Sequence, residues 1–360
     1  MGEDNVVLVT GVAGYWGSRV AARLLAAGTY HVLGLDAKRP DPEMQGLDVV
    51  QADVRNPALG EFLQAEGVDT ICHLAFIETE RPSGHTFDAN VMGTTRLLDA
   101  CAQAGVHKVV LKSSTAVYGA RPSNSAFLTE EQALRGSRQS GTIRDLVEIE
   151  RYCEGFRHQA PEMVLTILRF ANIVGPTADT PMTRFLLERR APALLGFDPV
   201  MQVVHEDDVE GALVHAVQND VPGAYNVAAE GPLPLSKMRG LAGKRPFSIL
   251  HPFAYWRSKL RVGRSLPEMC LPFMDPDYLR YRWVGDLSRM RDALGFEPEH
   301  TAEDTLGEFA GRYQGAYIPS NSELLAQRED RLREIIEQRR RARKRQPVVP
   351  SGAKEGGDDE

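Results

Sequence analysis

Seven residues near the start of the chain, Gly11-Val12-Ala13-Gly14-Tyr15-Trp16-Gly17, have the types and spacing needed to hold a pair of phosphates. In such a run Gly11 permits a tight turn out of a strand, Gly14 lets main-chain amides approach a pyrophosphate, and Gly17 lets the following helix pack close to the sheet. The positive end of that helix then faces the anion. Tyr15 and Trp16 would cover the bound dinucleotide or pack beside it. Asp36 follows Gly17 by nineteen residues. A carboxylate there accepts hydrogen bonds from an adenosine ribose and repels a 2′-phosphate. The combination selects NAD over NADP, although Lys38 and Arg39 stand close enough to soften that preference.

A second set of polar residues stands at the ends of apolar runs. Ser113 and Ser114 close an apolar run, Tyr118 follows in the next loop, and Asn172 follows another apolar run. Small hydroxyl residues also end strands and Asn also caps turns for purely structural reasons. His73 and His205 read as structural rather than catalytic.

The elements that must position these groups alternate. Apolar runs at 6–9, 31–35, 49–52, 70–74, 108–112 and 163–170 read as buried parallel strands, and 18–27 and 91–104 as helices between them. In the second helix Val91, Thr94, Leu97, Leu98 and Cys101 share one face. This pattern predicts an α/β fold, a Rossmann-type doubly wound parallel sheet with a small interleaved C-terminal substrate lobe. The dinucleotide domain would span 1–175, with elements at about 201–230 returning to it, and 176–200 and 231–318 would form the substrate lobe. A charged helix over 319–345 opens on a capping box, Ser320 and Glu323, and a disordered tail follows from 346.

Composition sets the outer bounds. With 360 residues, 42% hydrophobic and 25% charged, the chain is long enough for a large core of the soluble globular kind. No apolar run is long enough to span a membrane, and the acidic start leads into a strand rather than a signal peptide, so a cytoplasmic location is expected. Val6 stands where a myristoylation motif wants Ser or Thr. Cys72, Cys101, Cys153 and Cys270 form no CxxC pair, which argues against a disulfide framework or zinc site, and no metal is expected. The net charge is −7 although residues 339–345 hold six basic side chains. The rest is therefore more acidic, which disfavours nucleic acid as a specific partner, while the basic segment could touch an acidic partner or sit as a solvated helix end.

Several further motifs fall in order: Thr10 before Gly11, Asp53-Val54, His73-Leu74-Ala75, Asn90, Ser113 to Gly119, Leu168-Arg169-Phe170-Ala171-Asn172, Gly175-Pro176, Val204 to Asp208, and Tyr225-Asn226-Val227. Through them the chain, from Gly11 to about Phe296, resembles the extended short-chain dehydrogenase/reductase family, the NAD-dependent epimerases and dehydratases typified by UDP-galactose 4-epimerase. The resemblance implies that Asp53 and Val54 hold the adenine, that Leu74, Ala75, Asn90 and Ser113 line the cofactor channel, that Ser114 binds a substrate hydroxyl or carbonyl, and that Asn172 meets a nucleotide-sugar diphosphate. It also implies a homodimer formed through helices at 91–104 and 145–156.

One departure matters. The family usually carries YxxxK on the helix after the fifth strand, a phenol to move a proton and an ammonium to lower its pKa. Counting back from Asn172, and aligning Glu148 and Glu150, places these positions at Thr142 and Leu146. An aliphatic hydroxyl ionises far above neutral pH and Leu146 offers no charge. Arg144 is the nearest substitute cation, although it is turned about 200° from Thr142 on a helix. Tyr118 is a candidate phenol that would face substrate, Tyr152 belongs to a packing face, and a YxxxK at Tyr255 and Lys259 reads as a chance match. Two functions follow: an NAD-dependent epimerase or dehydratase with atypical proton chemistry, acting on a nucleotide sugar or related hydroxylated small molecule, or an NAD-binding sensor without redox chemistry.

Overall fold

A computed structural model describes residues 5–40, 44–188, 191–244, 247–250 and 275–314. Tyr255, Lys259, Cys270, the capping box at Ser320, the basic segment at 339–345 and the tail lie outside these residues. Among the described residues no helix is long and apolar enough to cross a membrane.

The β-branched runs form strands because each can be buried on both faces. In β1 (Val6–Thr10), Val7 and Val9 enter one core and Leu8 the other, as the period of two requires. Around it stand β2 (His31–Asp36), β3 (Asp48–Gln51), β4 (Val68–His73), β5 (Lys108–Ser114), β6 (Val164–Phe170) and, from late in the chain, β11 (Gly223–Val227). They make one seven-stranded sheet in the order β11-β6-β5-β4-β1-β2-β3, with parallel neighbours throughout. Helices α1 (Tyr15–Ala27) and α7 (Glu206–Gln218) cover one face through Val20, Leu24, Val209 and Leu213. On the other face α2 (Leu59–Ala65), α4 (Gly93–Ala104) and α5 (Gly141–Gln159) bury Leu63, Leu97, Ile149 and Phe156. This is the doubly wound Rossmann architecture.

A third core gathers Phe185 of α6 (Pro181–Leu187), Leu194 of β8 (Pro192–Leu194), Met201 of β9 (Val200–Met201), Met238 of α8 (Leu235–Leu241), and Leu306 and Phe309 of the helix Ala302–Gln314. Short pairs tie this region down: β7 (Asn172–Val174) runs parallel to β10 (Val203–His205), and β12 (Leu233–Pro234) antiparallel to β9.

Among the boundaries that differ from the periodicity are those of the first helix, of the helix leading into α4 and of β5. The first helix opens at Tyr15 rather than at residue 18, because Gly14 already serves as its N-cap. The segment before α4 is helical from α3 (Gly84–Phe87) through a π turn at Asp88–Met92, so the helix starts earlier than Val91. Pairing between Ser114 and Phe170 carries β5 two residues past 112, which puts Ser113 and Ser114 inside the strand.

Candidate active site

The glycine cradle is built as its spacing requires. Gly11 has φ +76°, and a Cβ there would lie 2.6 Å from Ala75 N and from the Leu74 carbonyl. At Gly17 a Cβ would come within 2.1 Å of Gly11 O, whereas at Gly14 the closest atom, Gly11 O, would be 3.2 Å away. The first turn of α1 has no side-chain cap, so its amides are presented to an anion. Asp36 braces the loop: one carboxylate oxygen accepts from Ala13 N and the other from Lys38 N, each at 3.0 Å. These residues can hold the pyrophosphate and ribose of a dinucleotide. Tyr15 donates or accepts a 2.6 Å hydrogen bond with Thr177 Oγ1, and burial lifts its phenol to about 12. Asp53 is engaged by Arg55 through both oxygens, which holds its carboxyl below the usual range. Val54 is buried beneath it.

Beside the cradle a cavity of about 550 Å³ opens at the C-terminal ends of β4, β5 and β6. Trp16 and Leu74 are shared with the cradle side, and Ser113, Ser114, Thr142, Leu146 and Asn172 all line it. Ser114 Oγ accepts from Ala116 N at 3.2 Å. Asn172 Nδ2 donates to Gln202 O at 2.8 Å, tying β7 to the residue between β9 and β10.

Beneath the cavity the hydrogen bonds fix a tautomer. Thr10 Oγ1 accepts from Leu74 N and Ala75 N, so it donates to His73 Nδ1 at 2.7 Å. His73 Nε2 then donates to Thr94 Oγ1, which donates to Asn90 O. Burial pushes the His73 imidazole down to about 4, so it is a neutral tie between β1, β4 and α4.

Four of the residues singled out in the sequence take partners inside the protein. Asn90 is 1% exposed, and its amide is spent on Ile77 N, Ile77 O and Asp145 Oδ2, so it fixes the cavity wall instead of touching a cofactor. Ser113 donates to Glu150 Oε1 of α5, whose other oxygen, Oε2, accepts from two nitrogens of Arg169. Tyr118 is 2% exposed and faces away from the cavity: it donates to Asn226 Oδ1 and accepts from Arg169, and burial raises its phenol to about 12. Arg144 turns to Asp145 and Ser83 O and stacks over Phe87, so it is no substitute cation for the site. Tyr152 donates to Asp99 Oδ1 and stacks on Phe156, in keeping with a packing face.

The sequence reading passed over Lys112, whose side chain lies in the cavity 3.6 Å from Glu78 and over the Trp16 ring. The available signal is a charge that follows the apolar run Val109-Val110-Leu111 within a parallel strand. It also passed over the cluster of His205, Asp207 and His300, whose donor atoms lie within 4.8 Å of one another. The two imidazoles are stacked, with centroids 3.9 Å apart and planes 24° apart, and His205 Nδ1 already accepts from Asp207 N. Nearly parallel rings cannot both aim an in-plane lone pair at one ion, so the arrangement is a stacked pair.

Residues 7–228 match the model of the NAD-dependent epimerase/dehydratase family. The chain belongs to that family. An uncharacterised protein of Mycobacterium tuberculosis is 34% identical over 319 residues, covering 86% of this chain and 84% of that protein. UDP-glucose 4-epimerase 4 of Oryza sativa is 32% identical over 192 residues, 48% of this chain and 51% of the rice protein. The crystal structure of UDP-glucose 4-epimerase from Thermotoga maritima with UDP-glucose superposes with a TM-score of 0.66 at 20% identity, over 86% of this chain and 99% of that one. The dTDP-glucose 4,6-dehydratase of Bacillus anthracis, in complex with NAD, gives 0.65 at 19% identity, over 86% and 97%. At these identities the two structures speak for the fold, and the family match identifies NAD as the cofactor.

Proposed function

We propose that this family member holds NAD as a hydride carrier and acts on a nucleotide sugar or related hydroxylated substrate, with proton chemistry unlike that of the usual YxxxK pair. The supporting observation is the joining of an intact cradle, Gly11, Gly14, Gly17 and Asp36, to a cavity that contains Ser114 and Asn172. NAD bound there would accept a hydride from a carbinol carbon and return it. Gly14 and the first turn of α1 would carry its phosphates, and Asp36, Asp53 and Val54 its adenosine. Ser114 uses a lone pair on Ala116 N, which leaves its proton to donate to a substrate oxygen. Phe76, Ile143, Leu146 and Phe170 exclude water from that oxygen.

Thr142 and Leu146 stand at the positions of the family Tyr and Lys. Tyr278, the one tyrosine among the described residues that line the cavity, spends its hydroxyl on Ala116 O, so the site forgoes the roughly 10²–10⁴-fold that general acid–base help supplies. Purified protein should therefore bind NADH yet turn over UDP-glucose or UDP-galactose slowly, and Ser114→Ala should abolish the residual rate. Fast epimerisation indifferent to Ser114→Ala would refute this reading. The second reading, a sensor that binds NAD without redox chemistry, draws support from Thr142, whose hydroxyl is spent on Thr79. A protein that binds NADH tightly and shows no turnover with any nucleotide sugar would favour it. A cytoplasmic homodimer paired through α4 and α5 completes the proposal, and size measurement in solution tests the pairing.

A further inference from the structure

Lys112 is the one lysine among the described residues that line the cavity. Side chains alternate along a strand, so Lys112 and Ser114 of β5 face one side of the sheet while Ser113 faces the other and reaches Glu150. The Lys112 ammonium sits 5.4 Å from the centroid of the Trp16 ring and 3.6 Å from Glu78 Oε1. Three elements thus converge on it: the first turn of α1, the loop after β4 and the end of β5. Its side chain is only 19% exposed, and the three residues before it, Val109, Val110 and Leu111, are fully apolar and buried. An apolar residue would continue that strand without the cost of partly desolvating a charge, so folding alone does not call for a lysine here. The contact with Glu78 is longer than a hydrogen bond, which leaves the ammonium incompletely neutralised. Leu146, which also lines the cavity, carries no charge.

The nicotinamide ring is cationic when oxidised and neutral when reduced. A fixed positive charge inside a cavity walled by apolar side chains acts on that difference with little screening. On the reading that this cavity receives the nicotinamide end of NAD, we propose that Lys112 sets the redox-state preference of the site, disfavouring the oxidised ring and favouring the reduced one, with Glu78 moderating the effect.

Calorimetric titration of the full-length protein with NAD⁺ and with NADH tests this through the ratio of the two Kd values. Lys112→Met keeps the side-chain stem on Trp16 and removes the charge. It should lower the Kd ratio of NAD⁺ to NADH by about fivefold or more, the order expected for one charge in a partly screened cavity. Glu78→Gln should raise the ratio, and Lys112→Arg should leave it near the wild-type value. Equal ratios in the wild type, Lys112→Met and Glu78→Gln would overturn the role of Lys112 while leaving the cofactor site standing. Failure of the wild type to bind either form would overturn the cofactor reading and this proposal together.

Discussion

Thr142 and Thr79 are joined by a reciprocal pair of hydrogen bonds: Thr79 N donates to Thr142 Oγ1 at 2.8 Å, and Thr142 Oγ1 donates to Thr79 O at 3.0 Å. The main chain adds Thr142 N to Thr79 O and Gly141 N to Glu80 O, so the loop after β4 is fastened to the start of α5. A Cβ on Gly141 would lie 2.3 Å from Thr79 Oγ1. Thr142 is therefore a structural clasp.

Thr142→Ala should lower stability by about 1–2 kcal/mol, the loss of two hydrogen bonds in a half-buried setting, and leave dinucleotide affinity unchanged. The check is a shifted denaturation midpoint with an unchanged slope, together with unaltered NADH binding. Restoring the family pair with Thr142→Tyr and Leu146→Lys should not restore fast epimerisation, because the Thr79 loop holds the space before residue 142. Rapid turnover by that double variant would show that the clasp yields.

The three cradle glycines should differ in tolerance. Gly17→Ala puts a methyl 2.1 Å from Gly11 O and should cripple folding. Gly14→Ala meets that oxygen at 3.2 Å, so the protein should fold and lose at least about tenfold in NADH affinity through crowding of the phosphate site. Thermal unfolding with and without NADH separates the two outcomes.

Asp36→Ser should weaken NAD binding and narrow the gap between NAD and NADP, since the repelling carboxylate is gone and Lys38 and Arg39 remain nearby. The same change removes the brace on Ala13 N, so a modest loss of stability should accompany it. Parallel titrations with NADH and NADPH provide the test, and an unchanged preference would place the ribose elsewhere.

His73 supplies a pH dependence of definite sign. Its ordinary value is 6.5, and burial pushes it down to about 4 in the fold. Below pH 6.5 the unfolded chain takes up a proton that the folded chain refuses, so stability falls as the pH drops, and the loss is complete below about 4. The difference corresponds to about 3 kcal/mol. Denaturant unfolding between pH 7 and pH 4 should show a pH dependence steeper by about one proton in the wild type than in His73→Gln.

The pair of Arg169 and Glu150 is buried, with side chains 7% and 3% exposed. Arg169→Met strands the carboxylate and should destabilise by about 3–5 kcal/mol, while Arg169→Met with Glu150→Leu should recover much of that loss. Chemical denaturation of the single and double variants measures the difference, and equal losses in both would count against a stranded charge as the cause.

Local features carry the fold in the sequence. Gly11, Gly14 and Gly17 mark the cradle because their spacing is set by one turn of main chain, Asp36 because it ends the next strand, and the parallel strands because burial on both faces demands continuous apolar runs. Side-chain direction is another matter, because it is decided by partners distant in the chain. Tyr118 turns to Asn226 and Arg169, Asn90 to Ile77 and Asp145, and Arg144 to Asp145 and Ser83, each satisfying a polar group that burial would otherwise leave unpaired. Only the packing of β5 against α1 and the loop after β4 brings Lys112 beside Trp16 and Glu78, which is why a residue that spacing made inconspicuous stands inside the site.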